Sequence, residues 1–190
     1  MGTSDTTNQT ILTDPTVCQL ANYVKNPAVY KCAADKSGDI RSMSMNSAVG
    51  TRWYDTGGAQ KGLLPLTGGW LPGVYNPGQT TWRTYGKLSS IVLPGPVDLW
   101  LLMDEHPDSI NDSLMCTPAV PYVFVDYPAS YHNGAGGLVF ADGHAEIHKW
   151  VDGRTKLPIK GIYNSVPPAP QSSPGNKDTE YLYVHSSAAR

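Results

Sequence analysis

The dipeptide Asp142-Gly143 constrains this chain more than any other pair of residues. It follows the apolar run Leu138–Ala141 and precedes the alternating stretch His144–Trp150. Glycine has no Cβ to clash at positive φ, and Asp tolerates the left-handed region better than most residues. The pair therefore predicts a β-hairpin with a two-residue turn. In that register Ala141 pairs with His144, Val139 with Glu146 and Gly137 with His148. Alternation then places His144, Glu146 and His148 on one face, and Ala145 and Ile147 on the other with Leu138 and Phe140. The expectation is one apolar face against a core and one face of imidazole, carboxylate and imidazole.

The chain around this hairpin reads as a single domain, residues 1–190. A 40% hydrophobic and 16% charged composition fits a globular protein. Nineteen glycines and 16 prolines, spread without a period, predict many turns and long ordered loops. Residues 1–10 read as a disordered tail. Asp14-Pro15 is a helix-start signal, and Val17, Leu20, Ala21 and Val24 follow at helical spacing. These predict a short amphipathic helix over Asp14–Lys25. Ile40–Val49 and Tyr122–Val125 read as strands, and the continuous apolar run Leu99–Met103 reads as the central one. Residues 51–84 predict a long aromatic loop, and residues 164–177 a second loop dense in Pro and Ser. Asp178–His185 predicts a short segment that closes the sheet. The architecture expected is α+β: a mostly antiparallel sheet of four or more short strands, a short N-terminal helix and long loops.

Charge excludes some partners. The net charge is −2 and no basic run exceeds two residues, which argues against nucleic acid and anionic membrane surfaces. No apolar run reaches 18 residues and Met1–Thr10 is polar, so the chain as written shows neither a membrane span nor a targeting segment. Of the three cysteines, Cys18 and Cys32 are spaced for a bridge in an oxidising compartment. Buried free thiols fit the sequence as well.

Several blocks resemble a known family. His132, nine residues, then Asp142-Gly143 matches the H-X9-DG signature of prepilin-like, type II secretion pseudopilin-like proteins. Asn26–Asp35 (NPAVYKCAAD) looks like the family's Tyr-Lys-Cys-Pro-x-Asp segment, with Ala33 where Pro is usual. Arg41–Asn46, Thr81–Tyr85, Leu99–Asn111, Pro128–Trp150 and Asp178–His185 also look like family blocks. The resemblance implies a type IV pilin-like globular domain, in which a long N-terminal helix packs on a four-stranded antiparallel sheet. It also implies a periplasmic or extracellular setting. The chain begins where the globular part of such a protein would begin, without the peptidase site or the hydrophobic helix. Two origins stand: a piece of an anchored protein, or an anchorless relative.

Three constellations carry potential chemistry. His144, Glu146 and His148, with His132 and Asp142 nearby, suit a transition metal. A turn built by Asp142-Gly143, with His132 hydrogen-bonding the hairpin backbone, accounts for the same residues without a ligand. Asp104, Asp108 and Asp112, in a loop after the central strand, suit Ca²⁺ through oxygen donors. Turn capping suits them equally. The third constellation is catalytic. Asp104, Glu105, His132, Asp142 and Glu146 supply carboxylates and a base for glycosidic hydrolysis, with Trp53, Trp70, Tyr75 and Trp82 stacking on carbohydrate. Those aromatics serve equally as a mini-core that holds their loop on the body. The leading expectation is a pilin-like domain that contacts other pilin-like or secretion-apparatus subunits. The alternative is an anchorless glycoside hydrolase.

Overall fold

A computed structural model describes residues 7–55, 61–65, 82–118 and 121–190. Its elements in chain order begin with α1 (Thr10–Thr13), β1 (Met43–Asn46), β2 (Thr51–Asp55), β3 (Lys61–Pro65) and β4 (Trp100–Asp104). They continue with β5 (Leu114–Met115), β6 (Val123–Phe124), β7 (Ala135–Phe140), β8 (Ala145–Lys149), β9 (Gln171–Ser172) and α2 (Lys177–Ser186). Five strands form one sheet in the order β5-β1-β4-β7-β8, with β2-β3 and β6-β9 as separate two-stranded ladders. All pairs of the main sheet are antiparallel except β1 with β5. The architecture is α+β, and β4, from the continuous apolar run, sits at the centre.

The hairpin is present, but its register differs by one residue from the two-residue turn. Val139 pairs with Ala145, Leu138 with Glu146 and Gly136 with His148. The Phe140 N–H donates to the His144 carbonyl and the Gly143 N–H to the Phe140 carbonyl, which leaves a three-residue loop. Gly143 takes φ 94°, the left-handed position that ends such a loop. Because side chains alternate with a period of two, this one-residue difference exchanges the faces of β8. His144, Glu146 and His148 lie on the side of Phe140, Leu138 and Gly136. Ala145 and Ile147 lie on the opposite side, and Ile147 is 59% exposed. The expectation that Ala145 and Ile147 face the core is therefore reversed.

One face of the sheet is closed by α2. Trp100, Met103, Leu138, Phe140, Trp150 and Leu182 are buried together in the core. The Trp100 Nε1–H donates to Ser186 Oγ (3.0 Å), fixing the end of α2 to the middle strand. Asn46 Nδ2 donates to the carbonyls of both Trp100 and Ser186, so three segments meet at one buried amide. Asn176 caps the start of α2, its Oδ1 accepting from the N–H groups of Asp178 and Thr179. Asn176 is fully buried, so Asn176→Ala leaves those donors unpaired. It is expected to lower stability by about 1–2 kcal/mol in urea denaturation.

The helix on the sheet therefore follows the strands in sequence. The predicted helix over Asp14–Lys25 does not form. That stretch holds turns and a 3₁₀ segment, Gln19–Asn22, and the only α-helix near it is the four-residue α1. Val17 (60%) and Leu20 (45%) are exposed, so the apolar spacing has no core to bury against. Of the predicted tail, residues 1–6 lie outside the described residues, and Thr10 opens α1. The predicted loop 51–84 is interrupted by the β2-β3 ladder, in which Trp53 pairs with Leu63. Trp70 and Tyr75 lie outside the described residues. The predicted loop 164–177 contributes β9, which pairs with β6. All three cysteines are free thiols, with Cys18 beside Tyr30 and Cys32 beside His132, so no Cys18–Cys32 bridge forms.

Candidate functional site

The face of the sheet opposite α2 is open. Two cross-strand rows run over it. One holds Met43, Asp104, Gly137 and Ile147; the other holds Met45, Leu102, Val139 and Ala145. A groove of about 330 Å³ lies along these rows and reaches Cys32, Asp104 and His132.

Each of these three residues is held by a different piece of chain. Asp104 ends β4. His132 sits in a tight turn before β7, closed by a hydrogen bond from its own N–H to the Ala135 carbonyl (3.0 Å). Cys32 follows the 3₁₀ segment Pro27–Tyr30, and its N–H donates to Ser42 Oγ (2.7 Å). His132 Nε2 lies 3.5 Å from Cys32 Sγ and 3.5 Å from Asp104 Oδ2. Among the described residues these form the one group of three His, Cys, Asp or Glu side chains whose ligand atoms all lie within 4.8 Å of one another.

Gly137 makes room for this arrangement. A Cβ there would stand 2.9 Å from Asp104 Oδ2, where the carboxylate crosses the neighbouring strand. The Gly137 N–H donates to that same oxygen (3.0 Å). Burial pushes the Asp104 carboxyl above its ordinary range, and the Gly137 N–H and His132 offset this only in part. Tyr131 lies beside the cluster. Burial first, then the charges of Asp35 and Asp104, keep its phenol protonated far above the usual range.

The other predicted site residues are dispersed. His144 Nδ1 meets Asp142 Oδ1 (2.6 Å) at the exposed hairpin tip, and the His144 ring stacks on Phe140. Glu146 Oε1 accepts from the Tyr181 hydroxyl (2.8 Å) and meets His148 Nδ1 (3.1 Å), while His148 stacks on Tyr181. Glu146 and His148 form a polar and aromatic seam against α2 while His144 stays at the hairpin tip, so the three side chains do not converge on one point. Asp108 is buried and accepts from the N–H groups of Lys160 and Ile162 and from Ser165 Oγ, clasping the following loop. Asp112 Oδ1 accepts from the Leu114 N–H. Asp104, Asp108 and Asp112 therefore act separately, and the two carboxylates beyond Asp104 serve as turn caps. Trp82 packs edge-to-face on Tyr183 at 6.3 Å, against the buried residues Ala48, Tyr85, Ile91 and Leu99.

Glu105, next to Asp104, points to the opposite side. It is fully buried, with Ser44 Oγ donating to Oε2 and with Oε1 unpartnered. Burial first, and the nearby charge of Asp126, raise it well above the carboxylate range. The catalytic set Asp104, Glu105, His132, Asp142 and Glu146 is thus divided among the groove, the buried interior, the hairpin tip and the α2 seam.

The sequence offers Cys32 as a disulfide partner or a free thiol, and His132 as a hairpin clasp or a ligand near His144, but no local pattern in it pairs Cys32 with His132. A usable signal existed: Cys32, Asp104 and His132 each fall in one of the blocks that carry the family resemblance. No family model matches the chain, and no curated protein and no solved structure matches it.

Proposed function

We propose that this chain is a pilin-like domain of an envelope or secretion apparatus, working in the periplasm or outside the cell by contact with another subunit. The observation that carries this reading is the difference between the two faces of the sheet. One face is closed by α2 over a continuous core. The other presents Leu102, Val139, Ala145 and Ile147 along an open groove. A contiguous apolar surface of this kind is a feature of interaction sites more than of free surfaces. Among the described residues, no helix is long and apolar enough to cross a membrane.

The dispersal of the carboxylates favours contact over glycosidic hydrolysis, which needs an acid and a second carboxylate flanking one bond. A photo-crosslinking residue at position 147, in cells that make the protein, is expected to give one discrete adduct with another subunit. The same residue at the exposed position 163 is expected to give none. Leu102→Glu, which places a charge in the groove, is expected to abolish the adduct. No discrete adduct from position 147 would overturn the reading. So would glycoside hydrolysis by the purified protein that is lost in Glu146→Gln.

A further inference from the structure

We propose that Cys32, Asp104 and His132 bind a divalent transition-metal ion of the zinc class, with a fourth coordination position open to the groove. This inference does not rest on the contact function above and goes beyond it.

The donor set is the first argument. A thiolate, an imidazole nitrogen and a carboxylate oxygen are the ligand types of zinc, and a thiolate disfavours Ca²⁺ and Mg²⁺. The spacing is the second. A tetrahedral ion with bonds of about 2.3 Å to sulfur and about 2.0–2.2 Å to nitrogen and oxygen holds neighbouring donors about 3.4–3.6 Å apart. Both separations from His132 Nε2 are 3.5 Å. Hydrogen bonding accounts for them less well. One ring nitrogen has a single proton or a single lone pair, yet Nε2 is shared between two partners. At 3.5 Å the contact with Asp104 is also longer than an ordinary hydrogen bond.

The surroundings are the third argument. The Ala34 N–H donates to Cys32 Sγ (3.4 Å), which fixes the direction of the sulfur. The Gly137 N–H orients the Asp104 oxygen, as outer-shell donors orient metal ligands. Asp104 is buried, and Lys31, whose ammonium is 3.4 Å from Asp35, is committed to that residue and to the carbonyls of Ser37 and Asp39. Once coordinated, a thiolate and a carboxylate carry two negative charges, which a divalent ion neutralises. Three protein ligands with one position facing a groove is the pattern of a site that accepts a water or an incoming donor.

The test uses the full chain, purified without a His tag and stripped with a chelator. Titration with Co(II) is expected to saturate at one equivalent, with visible bands of a tetrahedral ion and a near-ultraviolet thiolate-to-cobalt band. Zn(II) is expected to displace the cobalt. Cys32→Ser is expected to remove the thiolate band. Asp104→Asn, which keeps the shape and the acceptor for Gly137, is expected to weaken Zn(II) binding by about 100-fold. A folded wild-type chain that gives no thiolate band overturns the proposal without reference to any variant. Binding whose spectrum and affinity are unchanged in Cys32→Ser overturns it too, by placing the donors elsewhere.

Discussion

Trp150→Ala is expected to unfold in urea with a free energy about 4 kcal/mol below that of the unaltered chain. Large aromatic truncations in a packed core cost about 3–5 kcal/mol, because the lost transfer energy adds to the cavity left behind. Trp150 is fully buried. Its ring lies over Gly136, and its Nε1–H donates to the Ala129 carbonyl (2.8 Å). That bond ties the end of β8 to the turn that carries His132. The variant therefore leaves a buried carbonyl unpaired as well as a void. Trp150→Phe refills most of the void but not the hydrogen bond, and is expected to recover more than half of the loss. A loss below about 1.5 kcal/mol in the alanine variant would contradict the burial described above.

Asp126→Asn is expected to stabilise the protein above neutral pH and to change little in acid. Burial pushes the Asp126 carboxyl from 3.8 up to about 7, with Asp112 adding to the rise and the Cys116 N–H working against it. A carboxyl raised on folding contributes stability that is fully present below its unfolded value, near 4, and is lost as pH rises through about 7. At pH 8 the wild type holds a charge in a site 8% exposed. The neutral amide removes that cost while its oxygen still accepts the Cys116 N–H. The gain at pH 8 is expected to be on the order of 4 kcal/mol, shrinking towards nothing near pH 4. Urea melts at pH 4, 6 and 8 measure it. Parallel curves for the two proteins would show that Asp126 is not held away from water.

The strands were legible where a stretch of residues has one period and one environment. Leu99–Met103 is continuously apolar, and its strand, Trp100–Asp104, lies between two others and is covered by α2. The hairpin was legible as a hairpin, because Asp-Gly at its tip has few other uses. Its register was not, since the same dipeptide serves a two-residue and a three-residue loop, and the choice exchanges the faces. The segment before α2 carried a start signal, Asn176 followed by Asp178 and Glu180. Its weak apolar periodicity hid the helix, because Asn176, Asp178, Thr179 and Ser186 are buried through hydrogen bonds rather than through oily side chains. At Val17 and Leu20 the reverse held: helical spacing without a surface to cover. The site was legible only in pieces. Cys32 and His132 stand 100 residues apart in the chain, and no local pattern records that they touch.

The order of these elements has a consequence during synthesis. Every strand of the main sheet precedes α2 in the chain, so Trp100, Met103 and Leu138 are translated before the helix that covers them. At about 5–20 residues per second, the ribosome takes roughly 2–7 s to pass from the end of β8 to the end of α2. During that interval a nascent sheet would carry apolar surface on both sides. Protein made faster than α2 docks would be drawn towards aggregation, and a chaperone that shields the helix side would raise its yield without altering the finished fold.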